Sequence, residues 1–157
     1  MWRVHEPEFT KPKHVPENES FVDLNNEIRL LLHGAQVLTA FLMILPFSTG
    51  FDKIADAEKW VYGVMFLCSL TATILFTAPA AQHRIERPLR DRVEFKQSAT
   101  KYAIAGMVPM SVAWILAAQL VVTQVLGPVV GTTVAVIVTI GIAAAWWVVP
   151  LVMRKQA

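Results

Sequence analysis

Polar side chains that could bind a ligand or transfer a proton lie at the ends of long apolar runs. His33 and Gln36 are three residues apart in a predicted helix and therefore share a face. Ionisable groups at this depth are typical of lipid-headgroup sites, proton paths, and metal or porphyrin ligation. The other members of this set lie near the same predicted membrane boundary: Glu27, Arg29, His83, Arg84 and Arg154.

The same residues also have a purely structural interpretation, which we favour. Polar groups at a membrane boundary can hydrogen-bond one another and fix helix packing, and long cationic side chains can extend into water. His33 and His83 have no evident third metal ligand, and the sequence lacks motifs such as H-E-x-x-H or C-x-x-C. These two histidines are candidates for binding a chlorin or haem, but no cofactor or metal ion is predicted.

Motifs of common enzyme classes are absent from the sequence. It contains no phosphate-binding loop, dinucleotide-binding fingerprint or nucleophile elbow. The basic stretch RIERPLRDR (84–92) could suggest nucleic-acid binding, but the formal net charge is only +2, and basic loops commonly orient membrane proteins. We therefore predict a protein that is not an enzyme and does not bind nucleic acid.

The composition is typical of an integral membrane protein. Of the 157 residues, 55% are hydrophobic and only 17% are charged, which is too apolar for a soluble domain of this size. No cleavable signal peptide is expected, because residues 1–20 are acidic and proline-rich. The first apolar run is therefore expected to act as its own insertion signal.

Four apolar runs are long enough to cross a bilayer as helices. The sequence thus predicts an all-α fold in which residues 20–157 form a four-transmembrane-helix bundle and residues 1–19 form a Pro-rich cytoplasmic arm. Between the first two runs, residues 51–59 are expected to lie at the membrane surface as a short amphipathic helix. The expected helices span about 21–46, 60–81, 90–126 and 131–153.

Capping and turn residues set these expected boundaries. An S-x-x-D capping box at Ser20–Asp23 predicts the start of the first helix, and Pro46 predicts its end. Gly127 and Pro128 provide the break in the last apolar stretch, so the third and fourth helices should form an antiparallel hairpin. Small residues favour close helix packing, so we expect the fourth helix to be the most tightly packed. Its small residues are Gly131, Ala135, Gly141, Ala143, Ala144 and Ala145.

Basic residues predict the orientation, because cytoplasmic segments carry the excess of Lys and Arg. Only Lys53 and Lys59 fall on one side of the four predicted spans. We therefore predict a multi-pass protein of the bacterial inner (cytoplasmic) membrane with both termini cytoplasmic, whose basic face attracts anionic lipids. The residues on that face are Arg3, Lys11, Lys13, Arg29, Arg84, Arg87, Arg90, Arg92, Lys96, Lys101, Arg154 and Lys155.

The sequence leaves two interpretations of the N-terminal arm open: a solvated, flexible tail, or a segment that binds another protein. The prolines of the arm exclude a continuous helix, and it has too few apolar side chains to form a core. Trp2 and Phe9 are the candidate anchors, because aromatic side chains bury a large area at low entropic cost.

Two motifs resemble those of a bacterial family of small four-span integral membrane proteins, described as a domain of unknown function. The motif E-x-R-x-x-L-x-G-x-Q…P-F is matched from Glu27 to Phe47, and A-P-A-x-x-H-R from Ala78 to Arg84. The sequence departs from this family at His33, where the family pattern has Pro. The resemblance covers about residues 24–154 and implies four helices, but no activity. It indicates Glu27, Arg29, Gln36, His83 and Arg84 as residues to test.

Three functional hypotheses follow. The first is a non-enzymatic accessory subunit of a larger bacterial inner-membrane complex, such as a respiratory or photosynthetic one, that contacts other membrane subunits through its helices and arm. The second is a homo-oligomeric channel or small-solute transporter that uses His33, Gln36 and Gln119. The third is a lipid- or pigment-binding protein that uses His33, His83 and Arg84.

Overall fold

The computed structural model describes residues 15–85, 92–149 and 151–152, and this part of the chain is almost entirely helical. The predicted all-α fold with four apolar helices, each long enough to cross a membrane, is confirmed. Trp2, Phe9 and Arg154 lie outside the described residues. The helices are α1 (Val15–Ile44), α2 (Asp56–Ile85), α3 (Arg92–Leu126) and α4 (Pro128–Ile142), and a π-helical segment (Ala143–Val148) continues α4.

Helix α1 begins earlier than expected. It starts at Val15 rather than at Ser20, so part of the predicted arm is helical. Pro16 is compatible with this start, because a proline in the first turn removes only an N–H that has no partner within the helix. The prediction that Ser20–Asp23 would open the helix was therefore wrong.

Helix α2 is longer than predicted at both ends. It begins at Asp56 because Glu58 Oε2 accepts a hydrogen bond from the backbone N–H of Ala55 at 3.1 Å, as in half of a capping box. The expected surface helix over 51–59 is instead a 3-10 turn (Phe51–Lys53) followed by the start of α2. At the other end α2 continues through Pro79 to Ile85, so its last turn carries His83 and Arg84.

A tyrosine hydroxyl compensates for the proline that ends α1. Pro46 has no N–H, so the carbonyl group of Leu42 lacks its usual partner four residues ahead. The Tyr62 hydroxyl donates to this carbonyl oxygen at 2.7 Å. The ring of Phe51 packs edge-on against Tyr62 with centroids 5.1 Å apart. The sequence thus couples the end of α1 to the first turns of α2.

Three clusters of buried apolar side chains lie along the interface of α1, α2 and α3. Residue numbers rise from the first to the last cluster in α1 and α3 and fall in α2, so α2 is antiparallel to both. The first cluster contains Ile28, Phe95 and Ala99. The middle cluster contains Ala35, Ala72, Phe76 and Met110. The last contains Leu42, Met65, Ala113 and Leu120.

Hydroxyl groups form a small polar contact inside this apolar interface. Thr39 donates to the carbonyl of Ala35 at 2.8 Å, and its Oγ1 lies 2.6 Å from Oγ of the fully buried Ser69. Since the Thr39 proton is already used, Ser69 is the donor in the second bond. Thr73 donates to the Ser69 carbonyl at 3.0 Å. Each of these hydroxyls is satisfied, so the contact is compatible with a membrane interior.

Helices α3 and α4 are joined by a single residue. Gly127 has φ of 90°, a conformation that favours glycine, and Pro128 then occupies the first turn of α4. A Cβ atom on Gly131 would lie only 2.9 Å from the backbone nitrogen of Thr123, so the two helices pack closely at this glycine. Helix α4 begins at Pro128 rather than at residue 131, since a proline is well suited to that position.

The prediction that the fourth helix is the most tightly packed was wrong. Only 11% of its apolar window is buried, compared with 28% for α3. Gly131 and Ala135 pack against α3, whereas Gly141 and the three alanines at 143–145 are exposed. Trp146 in the π-helical segment packs against the middle cluster. Small residues permit close packing, but the described part of the chain supplies only one neighbouring helix for α4.

Candidate functional site

Arg29, His83 and Arg84 line one groove, as their positions in the sequence suggested. We call it the cationic groove. It has a volume of about 460 Å³ and lies where α1 enters the bundle, α2 ends and α3 begins. Asn25 is the fourth polar residue in its lining. The remaining lining residues are apolar: Ile28, Leu32, Phe76, Pro79, Ala80 and Phe95.

Contacts between α2 and α3 hold the His83 side of this groove in place. The rings of His83 and Phe95 meet edge to face with centroids 5.4 Å apart. Two turns further along α3, the Tyr102 hydroxyl accepts a hydrogen bond from Gln82 Nε2 at 3.1 Å. Ser98 donates to Gln82 Oε1 at 3.4 Å. The last turn of α2 is therefore positioned by α3.

The cationic groove has an excess of positive charge. Among the residues that the structure describes, no Asp or Glu lines this groove. Arg29 and Arg84 are exposed, and neither guanidinium forms an ion pair within the part of the chain that the structure describes. His83 and Arg84 also lie at the C-terminal end of α2, where cations are favoured by the helix dipole. The site is thus arranged to attract an anionic group.

His33 lies in a different groove, between α1 and α3, which we call the apolar groove. Its volume is about 670 Å³. His33 Nδ1 donates to the carbonyl oxygen of Arg29 at 2.6 Å, so the ring proton lies on Nδ1 and Nε2 is left as the other polar atom. Among the described residues of the lining, His33 is the only ionisable one; the others are Gly34, Val37, Leu38, Phe41, Trp114, Ala117, Ala118, Val121 and Val122.

The structure does not bring the whole predicted polar set into one site. Gln36 and Glu27 are exposed on α1 and line neither groove. Gln119 is half-buried on α3 and also lines neither groove. His33 and Gln36 share a helix, but only His33 faces the apolar groove. Among the described residues, no group of three His, Cys, Asp or Glu side chains is placed to hold a metal ion.

Sequence reasoning missed several residues of these grooves, among them Asn25, Phe95 and Trp114. Asn25 lies four and seven residues before Arg29 and Leu32, so helical periodicity could have placed it on the same face. Phe95 and Trp114 come from α3, and nothing in the spacing of α1 and α2 indicates which α3 residues face them. Their placement required the packing of the three helices.

One family model matches most of the chain. It is described as a family of unknown function, DUF6328, and it matches residues 17–150. No curated protein matches the chain. No solved structure matches it either. The resemblance to an uncharacterised family is confirmed by this match.

Proposed function

This chain belongs to the DUF6328 family of unknown function, and we propose that it is a non-enzymatic accessory subunit of a larger bacterial inner-membrane complex. Both of its termini lie in the cytoplasm in this proposal. It contacts other membrane subunits through the N-terminal arm and through what we call the outer face of α4, which is formed by Gly141 of α4 and by Ala143, Ala144 and Ala145 of the π-helical segment that continues it. Respiratory and photosynthetic complexes are the kind of assembly that this role fits.

The observation that carries this proposal is a face of α4 that contacts no other helix among the residues that the structure describes. Helices associate in lipid mainly through close packing at small residues, because lipid tails are as apolar as the side chains themselves. Gly141, Ala143, Ala144 and Ala145 form a small-residue segment that is exposed, although such segments are typical of helix contacts. A helix of another subunit packed against this segment would explain both its composition and its exposure.

The distribution of basic residues supports the proposed orientation. Lys53 lies in the connection between α1 and α2, and Lys59 lies in the first turns of α2, at the same end as Gly127. Arg29, Arg84 and Lys101 lie at the opposite end of the helices. Since cytoplasmic segments carry the excess of Lys and Arg, the second end is the cytoplasmic one in our proposal.

Co-purification tests the proposal. The chain is tagged at its C-terminus, extracted in a mild detergent, and analysed by native gel and mass spectrometry. We expect a discrete complex that is lost when Ala144 is replaced by Leu and is retained in Ala40→Leu, which adds the same bulk to an exposed position on α1. Deletion of residues 1–14, which leaves all of α1 intact, should weaken the complex.

Two outcomes would contradict the accessory role. One is a lone monomer under all extraction conditions. The other is a homo-oligomer that conducts ions or solutes in liposomes, which would favour a channel or transporter instead. If Ala144→Leu and Ala40→Leu purify with the same partners, the outer face of α4 is not the contact.

A second candidate function is binding of a pigment or another ring-bearing apolar ligand in the apolar groove. Histidines that ligate a metal centre usually donate their other ring N–H to a carbonyl or carboxylate. His33 makes this type of bond to Arg29, and Phe41 and Trp114 supply aromatic walls. Visible absorbance of the protein purified from its native membrane, lost in His33→Ala, would support this function. A colourless preparation whose stability is unchanged by His33→Ala would contradict it.

A further inference from the structure

The cationic groove combines a basic rim with an apolar floor. Its rim carries Arg29, Arg84 and His83, and none of the described residues that line it is an Asp or a Glu. Its floor is apolar and is formed by all three core helices. A small soluble anion would use the rim alone and would leave this apolar floor exposed. A ligand that matches both parts must carry an anionic head and an apolar tail.

The direction of the groove also fits such a ligand. His83 and Phe76 are seven residues apart on α2, so the groove extends roughly 10 Å along the helix from its basic rim toward the membrane interior. Phe76 belongs to the middle cluster, and Phe95 belongs to the first cluster, so the floor is part of the packed core. The floor is therefore preformed rather than assembled by the ligand.

The guanidinium groups supply the chemistry for the head. Arginine donates two parallel hydrogen bonds to a phosphate, and Arg29 and Arg84 have no ion-pair partner among the described residues. Asn25 adds an amide that can donate to a glycerol or phosphate oxygen.

We propose that the cationic groove binds one anionic phospholipid of the leaflet at this end of the helices. Its phosphate lies between Arg29 and Arg84, and an acyl chain lies along Leu32, Phe76 and Ala80. This proposal goes beyond the accessory role and does not depend on it, because it needs only the packing of α1, α2 and α3.

Lipid binding to the full-length protein in detergent tests the proposal. Native mass spectrometry is used with added phosphatidylglycerol or phosphatidylcholine. We expect phosphatidylglycerol to bind more tightly, and Arg29→Gln and Arg84→Gln each to weaken its binding about fivefold, which corresponds to about 1 kcal/mol for one cation. Lys101→Gln is the matched control, because it removes an exposed cation from the same end of the protein outside the groove.

A second variant tests the apolar floor without changing any charge. Ala80 is exposed in the groove, so Ala80→Phe should fill part of the floor and weaken phosphatidylglycerol binding while leaving thermal unfolding unchanged. Inorganic phosphate and glycerol phosphate at millimolar concentration serve as competitors that carry the head alone. They should fail to displace the lipid.

Three results would overturn the proposal. Equal binding of the two lipids would show that the groove does not select charge. Equal losses in Arg84→Gln and Lys101→Gln would show general attraction to a basic surface. Displacement by inorganic phosphate, with no effect of Ala80→Phe, would show a site for a free anion rather than for a lipid.

Discussion

The three-helix core and the fourth helix differ in how they are packed. The core of α1, α2 and α3 is filled by three apolar clusters and an internally satisfied hydroxyl contact. Helix α4 contacts α3 closely at Gly131 and then exposes most of its surface. The buried side chains of these clusters all come from α1, α2 and α3, although Trp146 packs against the middle cluster from outside. By contrast, the small residues of α4 and its π-helical continuation at 141 and 143–145 are exposed in the described chain. This difference is the basis of the proposed accessory role.

The largest expected effect comes from breaking the core at Phe76. This ring is 1% exposed and lies in the middle cluster. Phe76→Ala should lower the free energy of unfolding in micelles by about 3 kcal/mol, at the low end for such truncations because lipid adds no hydrophobic transfer term. Ile74→Ala, at a residue that is 65% exposed on the same helix, is the control. Equal losses in the two variants would contradict a packed core.

A substitution at Gly131 should separate α4 from the core. A Cβ atom there would lie 2.9 Å from the Thr123 nitrogen and 3.0 Å from its Cα, so backbone must move. We expect Gly131→Leu to lower stability by about 2 kcal/mol through overpacking. Hydrogen exchange should rise in α4 and stay unchanged in α1–α3.

Gly141 provides the matched control for this prediction. A Cβ atom at Gly141 has nothing within 4 Å, so Gly141→Leu should leave hydrogen exchange of α4 unchanged in the isolated protein. Increased exchange throughout the chain in Gly131→Leu would mean that α4 is an integral part of the core, which would contradict the contrast between the two regions.

The hydroxyl contact between α1 and α2 should contribute less. Thr39→Val removes the acceptor of the buried Ser69 hydroxyl, and we expect a loss of about 1.5 kcal/mol, near the upper end for such bonds in membranes. Thr71→Val is the control, since the exposed Thr71 hydroxyl donates only to its own helix, to the Leu67 carbonyl at 2.8 Å. Equal free energies of unfolding for Thr39→Val and Thr71→Val, measured by denaturant titration in micelles, would show that the contact does not contribute to stability.

The smallest effect is expected at the junction of α1 and α2. Tyr62→Phe removes the donor to the Leu42 carbonyl and should cost about 1 kcal/mol. In a Pro46→Ala background the residue at 46 regains an N–H, so the same substitution should cost less than in the parent protein. If the cost, measured by thermal unfolding, is the same in both backgrounds, the Tyr62 hydroxyl does not compensate for the proline.

The sequence predicted the number of helices well because a span needs about 20 apolar residues, and turn residues such as Gly127 mark the breaks. It placed the start of α1 wrongly because Pro16 disfavours a helix interior but not a first turn. It also misjudged α4, because small residues indicate that a helix can pack closely but do not indicate which neighbour it packs against.

Only part of the candidate site could be predicted from the sequence, because the sequence gives the depth of a residue along a helix more clearly than its direction around the helix. Arg29, His83 and Arg84 were grouped correctly because each lies next to the same end of an apolar run in the sequence. His33 was grouped with them by depth, yet it faces α3, because depth along a helix does not determine direction around it. Only the packing of α1 against α3 decides which groove that side chain lines.

Site-directed crosslinking in native membranes tests the central claim most directly. Cys68 is replaced by Ala, and a single cysteine is introduced at Ala144 on the outer face of α4 or at Ala40 on α1. If the chain is an accessory subunit that docks through α4, a photoactivatable label at position 144 should crosslink to another membrane protein in discrete products, and a label at 40 should crosslink mainly to lipid. Crosslinking of both positions to lipid alone would contradict the account.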